Sequence, residues 1–594
     1  MPALTRSPDE FRTARTFSLE GVCSRAPGQA RRSARTRLLG AGLLLALCST
    51  ASAQYTVTEY AGATMPFRIA AGPDGNLWFT DYPSSIGCIT PAGVITEYPA
   101  GVTVSSHPFG IAAGPDGNLW FTEMSANRIG SITPTGVVTE YSAGLSAASS
   151  PYEITAGPDG NMWFTENTGN RIGSISTAGV IVEYAIPTPK SSPSGITAAP
   201  DGTLWFTELN GNKLGNITTA GVITEHSAGL TAGSNPSGIA AGSDGALWFM
   251  DGGHSRVGRI SADGTAVSYY SKGLTAGSSP EAIAAGPDGA LWFTERIGAR
   301  TGRITTDGII TEFSGGITPL SSPEGIAAGP DGALWFTEVT GRIARLSIPP
   351  PSITPGGILS AASYLGGPVA PGELVSIFGA SLGPTAPGLL TLDIMGMVST
   401  QLDGVMVTFN GFLAPLTYAS ATQINAIVPY GVAGDSTAIV LVTSGKIASN
   451  PVTVPLAATA PAIFTLNSSG TGPGAILNPD SSLNTRLKPA ARGTTIQIFL
   501  TGEGMTAPAQ LSGQVTMVNT SASGPLTPAP LLPVSVLIGG QPAHVDFAGE
   551  APYVVAGVLQ VNADIPSAAV SGANSITVQV GDNGSQNGVT VWVR

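Results

Sequence analysis

The chain has 594 residues, of which only 11% are charged, well under the ~25% of an ordinary globular protein. Its formal charge of −12 argues against nucleic acid or anionic lipid as a partner. Glycine and proline number 78 and 47, but they recur on a fixed beat between apolar runs and so punctuate turns rather than mark low complexity.

At the N-terminus, Arg31, Arg32, Arg35 and Arg37 precede an apolar run over 38–47, and Ala51-Ser52-Ala53 follows as a small-residue cleavage site. The pattern predicts a secretory signal peptide over 1–53, because a run of about ten apolar residues is too short to span a bilayer. Leu47 is too large for the position before a lipidated Cys48. Removing this segment leaves 18 basic and 35 acidic residues, a net charge of −17. Cys88 is then the one remaining cysteine, so stability is expected to come from packing and ring closure rather than disulfides. The expected destination is extracellular, cell-surface or periplasmic, and the expected state is a monomer with no membrane span.

From residue 54 a unit recurs seven times, marked by Trp78, Trp120, Trp163, Trp205, Trp248, Trp292 and Trp335. Their spacing of 42 to 44 residues is the period of a propeller blade. Residues 107–141 show the unit as HPFGIAAGPDG, NLWFTE, NRIGSIT and GVVTEY, short β-forming runs divided by turn signals. Four antiparallel strands per unit follow. The seventh unit stops at Pro349-Pro350-Pro351 without its fourth strand, while residues 55–60 match residues 93–98. The N-terminal strand is therefore expected to complete the last blade and close a seven-bladed β-propeller over 54–348.

Most repeated polar residues read as scaffold. Asp74 and its equivalents in the Pro-Asp-Gly runs suit tight turns, and each Trp is expected to pack between blades. Glu123, Glu166, Glu208 and Glu295 recur with Arg128, Arg171, Lys213 and Arg300, and cross-strand ion pairs between them are expected. Function is sought where the repeat breaks its pattern. The residue after the proline that opens each unit is Phe67, Phe109, Tyr152, Ser194, Ser237, Glu281 and Glu324 in turn. Propeller geometry rings these around one mouth of the central channel. An aromatic arc of Phe67, Phe109 and Tyr152 facing Glu281 and Glu324 forms a candidate ligand site, with the two glutamates as candidate ligands for Mg²⁺ or Ca²⁺.

The run Pro-x-Gly-Ile-x-x-Gly-x-Asp-Gly-x-Leu-Trp-Phe-Thr-Glu, followed by Asn-Arg-Ile-Gly-x-Ile, resembles the virginiamycin B (streptogramin) lyase family of seven-bladed propellers over residues 54–348. The resemblance implies elimination across the ester of a cyclic depsipeptide with Mg²⁺ and a histidine base, a group that titrates near neutrality. Carried over by position, that machinery is altered. Pro-Tyr of the first blade is Pro66-Phe67, Pro-His of the sixth is Pro280-Glu281, and Glu-Pro-His of the seventh is Ser322-Pro323-Glu324. The last-blade Glu falls on Val339, beside Glu338, and none of His107, His226, His254 or His544 takes a lost position.

After the triple proline the Trp beat ends. Residues 370–383 align with 491–504, 414–429 align with 551–566 sharing seven of sixteen residues, and 450–454 match 587–591. Alternating runs such as 534–538 and 576–580 suit half-buried strands. Two tandem immunoglobulin-like sandwich units are expected, over 349–457 (with a linker) and 458–594. They resemble an uncharacterised C-terminal module of secreted bacterial proteins. Gln423/Asn425 and Gln560/Asn562 recur at matching places and are expected to satisfy buried backbone. The whole reads as an all-β, exported ligand-binding or surface-display protein whose partner is a small molecule, a peptide or a cell-surface ligand. A Mg²⁺-dependent lyase or lactonase-like hydrolase, and a purely structural envelope protein, remain the alternatives.

Overall fold

The structure, a computed structural model, describes residues 55–384, 387–393, 395–516 and 527–594. The expected signal peptide and Cys48 lie outside the described residues. The described chain is β throughout, broken by one short 3₁₀ turn at Tyr430–Val432. No helix is long and apolar enough to cross a membrane.

Seven four-stranded antiparallel sheets occupy the first half of the described residues. Six are built from four consecutive strands, such as Pro108–Ala113, Leu119–Glu123, Arg128–Ile132 and Val138–Tyr141. The other takes Pro323–Ala328, Leu334–Glu338 and Arg342–Ser347 from one end and Thr56–Ala61 from the other. Thr56–Ala61 pairs along its full length with Arg342–Ser347, Thr56 opposite Ser347 and Ala61 opposite Arg342. The first strand of each sheet contacts that of the next, and the last contacts the first. This ring is the arrangement of a β-propeller, and it leaves no free sheet edge between sheets. Below, the sheets are numbered 1 to 7 from Pro66–Ala71.

Packing explains the Trp beat. All seven tryptophans are at most 1% exposed, and each is a bridge between sheets: Trp78 shares a core with Leu119 and Phe121 of sheet 2. The turn aspartate also holds the ring, since Trp78 Nε1 donates to Asp74 Oδ1 at 3.2 Å. Threonines of the Leu-Trp-Phe-Thr runs hydrogen-bond the sheets together. Thr80 Oγ1 donates to Phe109 O (2.7 Å), Thr122 to Tyr152 O (2.6 Å), Thr294 to Glu324 O (2.7 Å) and Thr337 back to Phe67 O (2.7 Å). These bonds fix the backbone of the mouth residues themselves.

The expected ion pairs of Glu123, Glu166, Glu208 and Glu295 do not form. Arg128 turns outward to Glu140 (2.6 Å) and Lys213 to Glu225 (2.6 Å), while Arg171 and Arg300 sit 3.6 and 4.0 Å from Glu183 and Glu312. The Trp-Phe-Thr-Glu carboxyls stay fully buried, where a desolvated anion is costly. Burial pushes Glu123, Glu208 and Glu295 up to about 7 and Glu166 up to about 8. The long basic side chains keep their charge at the rim instead.

Residues 352–456 form two further sheets around one core that includes Val375, Ile377, Val407, Ile424 and Val440. The chain from 462 to 593 forms a second such pair of sheets around Ile496, Ile498, Val561, Ile576 and Val591. Corresponding strands pair alike: Leu374–Ala380 with Gln423–Ile427 in the first, Thr495–Thr501 with Leu559–Asp564 in the second. Gln423 donates to Asn425 Oδ1 at 2.8 Å and Gln560 to Asn562 Oδ1 at 2.8 Å. The repeated amides thus meet each other at matching places.

Candidate functional site at the channel mouth

The strands that open each sheet carry the mouth residues. Phe109 stacks on Tyr152 with ring centroids 4.0 Å apart, and Phe67 lies 5.6 Å from Phe109. The aromatic arc expected from sequence is therefore brought together. It is largely packed: Phe109 is 7% exposed, and Phe67 and Tyr152 are half-buried.

Glu281 and Glu324 also converge, but on a residue that the sequence reading did not single out. Arg68, 10% exposed in its side chain, sends Nη2 to within 3.9 Å of Glu281 Oε1 and Nη1 to within 3.4 Å of Glu324 Oε1. Its Nε donates to Glu153 Oε1, and its Cζ lies 4.5 Å from the Phe109 ring centroid. Arg296, half-exposed at the rim, comes within 3.5 Å of Glu324 Oε2. Burial alone would lower the Arg68 pKa, but Glu153 and Glu324 outweigh it and raise the pKa above its ordinary value, so the group is a permanent cation. Burial, partly offset by Arg68, raises the pKa of Glu281. The same burial raises the Tyr152 phenol.

Arg68 and Glu153 were legible in principle. The second residue after each opening proline is Gly110, Gly195, Gly238 and Gly325 in sheets 2, 4, 5 and 7. In those four sheets the next sheet approaches closely, and a Cβ would fall 2.5 to 2.7 Å from its carbonyl, while sheet 6 carries Ala282. Arg68 and Glu153 replace that glycine with opposite charges, and they pair with each other.

A divalent ion at Glu281 and Glu324, as expected from sequence, does not fit this arrangement. A guanidinium already lies among the carboxylates, which meet its separate nitrogens rather than one point. Among the described residues no group of three or more His, Cys, Asp or Glu side chains is set to hold a metal ion.

The histidines have other partners, although His107 packs on Tyr82, which meets the edge of Phe67. His107 Nδ1 is 2.7 Å from Ser125 Oγ, and His226 stacks on Trp205 at 4.8 Å. His254 Nδ1 is 3.0 Å from Asp251 Oδ1, and His544 lies beyond the ring at 3.4 Å from Asp546. At the seventh sheet, Glu338 is buried, accepts from Ser321 Oγ at 2.7 Å and is pushed by burial to about 7. Val339, by contrast, has no functional group to offer.

Two family models match the chain. The sequence model of the virginiamycin B lyase family matches residues 47–229 and 227–351, and that of the IPT/TIG domain matches 359–455. Among solved structures, the chain is similar to selenomethionine-substituted virginiamycin B lyase from Staphylococcus aureus, at 38% identity over 50% of this chain and 100% of that one (TM-score 0.47). A streptogramin B lyase structure is 35% identical over 49% of this chain and 97% of that one (TM-score 0.46). A catalytically inactive histidine-to-alanine variant of the S. aureus lyase with quinupristin is 38% identical over 50% and 100% (TM-score 0.47). A search of curated proteins by sequence finds no match.

Proposed function

Because the chain belongs to the virginiamycin B lyase family, we propose that it keeps the family's propeller as a ligand-recognition domain and has lost the elimination chemistry. The propeller has seven blades over 54–348 and is carried on two tandem immunoglobulin-like units, 349–457 and 458–594. The protein is exported, with residues 1–53 as its signal peptide, and the sandwiches serve as spacer or attachment.

One observation carries the loss of chemistry: the two positions where the resemblance implies histidines hold Glu281 and Glu324, and the four histidines meet Ser125, Trp205, Asp251 and Asp546 instead. Elimination needs a base that is free at neutral pH and strong enough to take a carbon-bound proton. Glu324 is 3% exposed and is engaged by two arginines, Arg68 and Arg296. What remains suits binding: the half-buried faces of Phe67 and Tyr152 for an apolar group, and Arg296, Glu281 and Ser237 for polar anchors.

The test is to incubate the purified protein with virginiamycin B and follow ring opening by mass spectrometry, with binding read separately from the melting temperature. No linear product is expected. Turnover that disappears in Glu281→Gln or Glu324→Gln would overturn the proposal and restore the lyase reading.

A further inference from the structure

We propose that Arg68 is the resident cation of the channel mouth: its guanidinium fork, held by carboxylates from sheets 3, 6 and 7, makes the mouth a metal-independent site shaped for guanidinium. The argument begins with geometry. A guanidinium presents Nε, Nη1 and Nη2 as separated donors in one plane, and here each faces a different carboxylate: Glu153, Glu324 and Glu281 respectively. A Mg²⁺ or Ca²⁺ ion needs oxygens converging on one centre at ~2.0–2.6 Å, whereas planar donors suit carboxylates spread around a fork. The Phe109 face beneath Cζ completes the site, because aromatic faces attract a flat cation.

The second line is the origin of the pair in the repeat. Sheets 2, 4, 5 and 7 keep glycine at this position. Sheet 6 has Ala282 there, and only sheets 1 and 3 carry charge, in opposite sign, as Arg68 and Glu153. A lone Glu153 would bring a third carboxylate to a mouth that already has Glu281 and Glu324, with no buried cation among them. A lone Arg68 would lose its Nε partner. Each change makes sense only beside the other, so the two act as one unit that joins sheet 1 to sheets 3, 6 and 7.

The test uses the full-length protein, with melting followed by tryptophan fluorescence, since seven of its eight tryptophans belong to the ring. The wild type is expected to show no change in melting temperature with millimolar Mg²⁺, Ca²⁺ or EDTA. Arg68→Gly, which restores the glycine of the repeat, is expected to fall by about 5–10 °C. Low-millimolar methylguanidinium should recover part of that loss, while Mg²⁺, Ca²⁺ and an equal ionic strength of NaCl should not. If Arg68→Gly does not fold, the double variant Arg68→Gly/Glu153→Gly serves, and it is expected to be more stable than Arg68→Gly alone because the unpaired Glu153 is gone. Rescue of Arg68→Gly by a divalent ion at least as strong as by methylguanidinium would overturn the inference. So would a wild type stabilised by Mg²⁺, or a double variant no more stable than the single one. Each of these readouts is thermal, so failure here leaves the absence of depsipeptide turnover to be judged on its own.

Discussion

Replacing Glu123 by Gln should stabilise the ring at pH 8.5 and do little at pH 5. In sheet 2, Glu123 is fully buried beside Ser106 and Glu140, with Arg128 turned to Glu140. Burial, reinforced by Glu140, pushes Glu123 from 4.5 up to about 7. Such a carboxyl is neutral in both folded and unfolded chains below about pH 4.5 and so contributes nothing there. Between about pH 4.5 and 7 the unfolded chain has given up its proton while the folded one keeps it, so stability falls across that window and levels off above it. A rise of 2.5 units at 1.36 kcal/mol each corresponds to ~3 kcal/mol. Water penetration and relaxation around the buried carboxyl reduce this to about 1–2 kcal/mol. Glu140 works in the opposite sense. Burial would raise its pKa, but hydrogen bonds from Thr103 N and Oγ1, at 2.6 and 2.7 Å, lower it, so its contribution is present above about pH 4.5 and lost in acid. The pair is therefore most stable near pH 5, with one proton. Differential scanning calorimetry at pH 5 and 8.5 measures both chains. Glu123→Gln should melt about 2–5 °C above wild type at the higher pH. A wild type with a flat profile between those pH values, or a variant that is less stable at both, would refute this account.

Sheet 5 supplies the contrast. Tyr269 stands in place of the outer glutamate, and Arg256 turns inward to Asp251 at 2.5 Å, so Asp251→Asn should destabilise at every pH from 5 to 8.5, by roughly 3 kcal/mol in the same calorimetry. Deleting residues 55–60 removes the strand paired with Arg342–Ser347 and should cost several kcal/mol of pairing and burial, lowering the melting temperature; an unchanged value would remove the closure argument. Limited proteolysis is expected to cut near Pro349-Pro350-Pro351 and release a folded ring; an unfolded 54–348 fragment would show that the ring depends on the C-terminal half. In the C-terminal half, Glu373, Glu503 and Glu550 are each at most 1% exposed. Burial pushes Glu373 to about 8 and Glu550 to about 7, and drives Glu503 well above its ordinary value. Glu503→Gln should therefore raise the melting temperature of the C-terminal half at pH 8.5 and leave it nearly unchanged at pH 5.

The amino-acid sequence by itself determined the ring. A Trp every 42 to 44 residues, turn residues between β-forming runs and a displaced fourth strand at residues 55–60 are local and periodic signals. Backbone pairing and burial answer to such signals directly, which is why Thr56–Ala61 lies where the repeat required. The sequence also brought Phe67, Phe109, Tyr152, Glu281 and Glu324 to one mouth, because equivalent positions of a closed repeat must converge. What only the tertiary structure decided is which charges meet. Arg128 had two glutamates within reach in sequence, and the choice of Glu140 over Glu123 rests on which carboxyl keeps contact with water. Arg68 is 85 residues from Glu153 and 256 from Glu324, distances at which no periodicity assigns partners. Desolvation decides such pairings, since a buried carboxylate is stable only beside a cation, and burial is a property of the assembled ring rather than of any one strand.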